Sequence, residues 1–200
     1  MLYLAEREVG FDLDAIGFPS IDGCHAVVLQ TESGLYGFHN FGGSGTSSFA
    51  ERSQAFATFV SQHFVAKGLP IHLYGTCFRN KRGYADPDKL KAWKEEMKAF
   101  AAALGYKGPV SGYNLDLTGY GAKSAYVEYR RGPKGCTVHC KPWVEMSHTM
   151  SANTDRVNHR TTVPGGVKTL EKQVVDTVGV QTGPPVQDVP AKHLDTFNCK

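Results

Sequence analysis

A thiol and an imidazole fifteen residues apart are the side chains of this sequence best suited to covalent chemistry. Cys24 and His39 lie within Gly23–Gly43, GCHAVVLQTESGLYGFHNFGG. The thiolate is the nucleophile, and a free thiol with a pKa near about 8.5 is mostly protonated at neutral pH. A neighbouring imidazole can take that proton, leaving an ion pair able to attack an acyl carbon. The same ring would protonate the leaving group and then activate the water that hydrolyses the thioester. The tetrahedral oxyanion needs donors already aimed at it, and the backbone N–H groups of Cys24 and its neighbours, held open by Gly23, are the natural choice. This chemistry requires neither a cofactor nor a metal.

Whether the two side chains meet depends on one turn. Residues 24–30 and 35–41 read as two strands, and Thr31-Glu32-Ser33-Gly34 between them has turn chemistry, with Gly34 free to take φ > 0. A loop of Thr31 and Glu32 alone places Cys24 opposite His39, and a loop of all four residues makes them diagonal neighbours on one face. Either register brings the Cβ atoms within roughly 4.5–8 Å. A three-residue loop would put them on opposite faces. His25 faces the other way.

Other residues offer competing chemistry. Cys24 is also well suited to be a small buried strand residue. His72, in the strand-like PIHLYGTCF (70–78), could pair with Cys24 in a papain-like amidase or peptidase, although such enzymes carry the Cys at a helix N-terminus. Cys136-Thr-Val-His-Cys140 invites a zinc reading, but on a strand His139 faces away from the two thiols. His63 falls on an apolar helix face as a core histidine.

The elements that would position these groups follow from pattern. Residues 1–17 form a lead-in strand or arm. Ser48-Phe-Ala-Glu51 is a capping box opening a helix to about Ala66, with Phe49, Phe56, Phe59, Val60, His63 and Phe64 on its apolar side. Asp86-Pro87 opens a second helix, to about Leu104, with a stripe of Leu90, Trp93, Met97, Phe100, Ala101 and Leu104. Strands are expected at 109–117, 123–130 and 136–142. The order predicts an α/β domain over residues 1–146, with a mixed, mainly antiparallel, sandwich-like sheet and two principal helices packed on it. Residues 147–200, rich in Thr, Val, Pro and Gly, read as a C-terminal extension, with a further strand possible near 172–180.

A formal net charge of +3 over 200 residues gives no argument for nucleic acid, and Arg79–Arg82 and Arg130-Arg131 read as solvated loop charges. No apolar run approaches the roughly 20 residues of a membrane span, and the acidic, early-broken N-terminus does not read as a Sec signal. Five cysteines without a disulfide framework point to reduced thiols and folding in a cytoplasm, with later export by another route left open.

The string GCHAVVLQTESGLYGFHNF resembles the motif of the chemotaxis receptor deamidase family (CheD), in which a G-S-C strand leads through a short hairpin to a histidine followed by an aromatic residue. The segment Leu115-Asp116-Leu117-Thr118-Gly119-Tyr120-Gly121 is similar to that family's D-x-G-G-x-x-G stretch, and the likeness runs over about residues 12–143. The Gly directly before Cys24 looks more like the catalytic domains of cytotoxic necrotizing factor toxins, which deamidate a glutamine of Rho GTPases. The resemblance implies a protein glutamine deamidase, with Cys24 as nucleophile and His39 as general acid/base. It implies a substrate of chemoreceptor or small-GTPase type, and a bacterial effector or toxin as one setting. In place of the third catalytic residue, a threonine in the chemotaxis enzymes, stands Ser20 or a backbone carbonyl. A non-catalytic interaction module on the same scaffold is the alternative.

Overall fold

The computed structural model describes residues 1–42, 49–62, 68–118, 122–143, 160–162 and 192–199. The chain begins with three strands, β1 (Leu2–Tyr3), β2 (Glu8–Asp12) and β3 (Ala15–Ile21), where pattern suggested a single arm. The hairpin follows as β4 (His25–Thr31) and β5 (Leu35–Asn40), then helix α1 (Phe49–Gln62), strand β6 (Pro70–Cys77) and helix α2 (Lys89–Ala103). Strands β7 (Pro109–Asn114), β8 (Ser124–Gly132) and β9 (Gly135–Trp143) come next. The extension supplies β10 (Arg160–Thr162) and β11 (Lys192–Asn198).

These strands form two sheets. The larger runs β10-β2-β5-β4-β6-β7-β11 and the smaller β1-β3-β8-β9. Among the described residues only β1–β3 and β6–β7 pair in parallel, so the mixed, mainly antiparallel α/β fold expected from pattern is the fold observed. The alternation of side chains along each strand sorts the core into two layers. Val27, Leu29, Tyr36 and Phe38 pack against Phe56 and Phe59 of α1 and Trp93, Met97 and Phe100 of α2. Cys24, Ala26, Val28 and Leu35 face the smaller sheet and meet Ile16, Phe18, Val127 and Tyr129. The central hairpin is therefore buried on both faces.

Several local expectations are revised. Gly34 does not take a positive φ. It is needed for space, because a Cβ there would lie 2.7 Å from the Asp12 carbonyl oxygen and the Phe11 ring. The turn is held instead by Thr31, whose N–H donates to the Gly34 carbonyl (2.8 Å) and whose Oγ1 accepts from the Gly34 N–H. The N-cap of α2 is Asp88 rather than Asp86, its carboxylate accepting from the N–H groups of Leu90 and Lys91, while Asp86 accepts from the Asp88 N–H. Phe49 lies at the rim, 37% exposed. Ser48, His63 and the strand suggested near 172–180 lie outside the described residues.

Candidate active site

The β4–β5 register decides the geometry. Gln30 stands opposite Leu35 and Ala26 opposite His39. Cys24 immediately precedes β4, two residues from Ala26, and so is the diagonal neighbour of His39 on one face, with backbones about 7–8 Å apart in such a pair. This is the register of the longer loop. Both side chains look into the space between the two sheets: Cys24 packs with Phe18 and Ala26 in one cluster, and the His39 ring meets the edge of Phe18 at 6.0 Å.

The His39 ring is fixed by the chain's own N-terminal segment. Its Nδ1 lies 2.8 Å from the Leu4 carbonyl oxygen. A carbonyl only accepts, so Nδ1 carries the proton and Nε2 is the basic nitrogen. Nε2 is buried and has no hydrogen-bond partner. The backbone clasps the residue a second time, with the Arg7 N–H donating to the His39 carbonyl at 2.9 Å and Arg7 itself at φ 74°. Of the two orienting groups considered for the ring, the backbone carbonyl is the one in place. Ser20 sits instead in the β-bulge of β3, between Phe18 and Ile21, with φ 58° and its side chain buried.

Electrostatics set the resting state. Burial pushes the Cys24 thiol up to about 12, with the Glu6 carboxylate raising it further and a hydrogen bond from the Gly42 backbone N–H working the other way. Burial likewise lowers His39 to about 4, against the Leu4 hydrogen bond, which raises it. At neutral pH both groups are therefore uncharged, not the ion pair expected from the sequence. The proton would have to move as the sulfur attacks. The Gly42 N–H, already directed at the sulfur, is a donor that sequence reasoning did not single out beside Gly23 and Cys24.

A buried ionic cluster holds the mouth of this hairpin. Arg82 donates through Nη2 to Glu96 Oε1 (2.6 Å) and through Nη1 to the carbonyls of Gly23 (3.1 Å) and Phe41 (2.7 Å). Arg52 of α1 also donates to the Phe41 carbonyl, at 2.9 Å. Glu96 of α2 accepts further from Asn40 Nδ2 (2.8 Å) and the Tyr84 hydroxyl. Burial alone would raise the Glu96 carboxyl, but the Arg82 charge holds it well below the usual carboxylate range. His25, on the opposite face from Cys24, accepts the Trp93 indole N–H at Nε2 (3.3 Å). That leaves its proton on Nδ1, 3.1 Å from Glu96 but out of line for a hydrogen bond. Arg82 is thus a fully buried structural cation and not a solvated loop charge. One signal for Glu96 was available: it falls three residues after Trp93 and four before Phe100, inside the apolar stripe.

The competing residues are placed elsewhere. His72 stands opposite Gln30, whereas Cys77 stands opposite His25. Six ladder positions, or about 20 Å, separate His72 from the Cys24 end, so the two cannot form a papain-like pair. The His72 Nε2 meets Ser111 Oγ at 2.8 Å, and the ring stacks on Tyr74. Cys136 and Cys140 share the face toward the inter-sheet core, while His139 lies opposite Glu128 on β8. Among the described residues no three His, Cys, Asp or Glu side chains converge as a metal site would require. The five cysteines are free, and no helix among the described residues is long and apolar enough to cross a membrane.

A cleft of about 420 Å³ opens at the same end of the sheet as Cys24, lined by Phe78, Arg79, Lys81, Asn114, Asp116 and Thr118 among others. Phe78 and Leu115 contribute both to this cleft and to the core cluster containing Cys24. In comparisons with known proteins, no family model and no curated protein matches this chain.

Proposed function

We propose that the protein is a cysteine-dependent amidohydrolase acting on a glutamine side chain of a target protein, as in the chemotaxis receptor deamidases and necrotizing-factor toxins it resembles. The observation that carries this reading is the unpartnered, buried Nε2 of His39, its tautomer set by Leu4, on the same face as the Cys24 thiol. An orphaned buried nitrogen costs free energy unless it is used, and a base beside a thiol is a use. Substrate binding would displace the cover over Cys24. His39 Nε2 would take the thiol proton as sulfur adds to the carboxamide carbon, and give it to the amide nitrogen, which leaves as NH₃ when the C–N bond breaks. Water would then hydrolyse the thioester with His39 again as base. The Gly42 N–H, released from the thiol, would be one donor to the oxyanion.

Burial of both groups favours a second reading, in which the pair is core and the scaffold is an interaction module. Incubating the protein with a library of glutamine peptides and extracted proteins, then reading ammonia release and a one-dalton gain on glutamine, separates the two. Turnover that disappears in Cys24→Ala and His39→Ala, with both variants still folded, supports the enzyme. Absence of turnover in every pool, with the substitutions altering only stability, would leave the module.

A further inference from the structure

The cleft beside Cys24 contains a cation, Arg79, with no counter-ion among the described residues. Lys81, on one wall, is engaged by Asp22 at 2.8 Å and lies over the Phe78 ring. Asp116 accepts from the Thr118 N–H at 3.0 Å, and the Asn114 amide oxygen accepts from the Arg79 backbone N–H at 3.1 Å. The Arg79 side chain, in contrast, has no acceptor among the described residues, and its Nε is buried without a partner. A desolvated guanidinium N–H is a costly group to leave unpaired, and its planar fork matches a carboxylate.

We propose that this cleft is a carboxylate-reading subsite, in which Arg79 takes an acidic group of the substrate segment beside the glutamine to be deamidated. The inference rests on the amidohydrolase reading for the glutamine, but not for the acid. Position supports it. Arg79 follows β6 by two residues, and β6 is the immediate neighbour of β4 in the sheet. An adjacent strand lies about 4.8 Å away, and an extended substrate advances about 3.3 Å per residue. The recognised acid therefore falls within about three residues of the glutamine. Lys81 is matched by Asp22 and Asp116 also lines the cleft, so Arg79 offers at most one positive charge, which suits a monoanionic carboxylate better than a phosphate dianion.

The test uses fluorescent peptides bearing one glutamine, with Asp or Asn at each position from three before to three after it. A second series ends in glutamine, as the free acid or the amide, to tell a side-chain carboxylate from a chain terminus. Binding is measured on Cys24→Ala by anisotropy, and turnover on the wild type by mass. The expected result is at least about tenfold tighter binding of one acidic series, the size of one charge-assisted contact. Arg79→Gln should abolish that preference and Arg79→Lys should keep part of it, neither with a lowered unfolding midpoint. Equal binding of Asp and Asn peptides, or a preference that survives Arg79→Gln, overturns the subsite. Acid-dependent binding through Arg79 without turnover sustains the subsite and removes the deamidase reading. Turnover indifferent to acid and to Arg79 does the reverse.

Discussion

His39 carries a pH signature whose sign follows from its burial. Its folded pKa, about 4, lies below the ordinary value of 6.5. Above pH 6.5 the ring is neutral in both folded and unfolded chains, so it adds no pH dependence. As pH falls from 6.5 to 4 the unfolded chain takes a proton that the folded chain refuses, and stability falls by about 3 kcal/mol. Urea unfolding at pH 7 and pH 4.5 should reveal this slope. His39→Gln, whose amide can still donate to Leu4, should remove most of it. The same burial predicts a sluggish resting thiol. With Cys24 near 12, the thiolate fraction at pH 8 is on the order of one in ten thousand, so iodoacetamide should label the native protein far more slowly than it labels the urea-unfolded chain. Any deamidation should be flat in rate across about pH 5–9 so far as these two groups are concerned, because neither titrates in that interval. A bell centred near neutrality would contradict the neutral-pair description. The pairing of Cys24 with His39 on one face was legible in the sequence because strand alternation has period two. Their burial was not, because it depends on a second sheet made partly of β1 and β3.

At the level of elements, α2 is tied to the hairpin through Glu96 and Arg82. Glu96→Gln should leave a buried guanidinium without its counter-ion and destabilise the protein by about 3–5 kcal/mol in chemical denaturation. Replacing both partners, as Arg82→Met with Glu96→Leu, should cost less than the sum of the two single changes, since neither charge is then stranded. Additive costs would mean that the pair is not coupled. The apolar stripe of α2 was readable from its period. The role of Glu96 within that stripe was not, because its partner lies fourteen residues away in a loop whose charges looked solvated. The N-cap lies two residues beyond the expected one because Asp86 and Asp88 both have capping chemistry, and the second wins by bonding the N–H groups of Leu90 and Lys91.

For the whole molecule, the C-terminal extension is part of the sheet. β10 joins β2 at one edge and β11 joins β7 at the other, with Phe197 meeting the Trp93 ring edge-on at 5.9 Å. Removing residues 147–200 should uncover both edges, lower stability measurably in denaturant and promote self-association detectable by light scattering. A truncated chain as stable and monomeric as the full one would show these strands to be dispensable. The composition of this segment, rich in Pro and Gly, hid its strands, because they pair with partners about eighty or more residues earlier. One consequence of the Arg82 clamp reaches furthest. It grips the carbonyls of Gly23 and Phe41, the two chain ends at the hairpin mouth, and is itself anchored to a helix. The mouth therefore cannot fray as free hairpin ends do. Amide protons there, Phe41 and Gly42 among them, should exchange with solvent deuterium only through the global unfolding reaction, unless a ligand pries the clamp open.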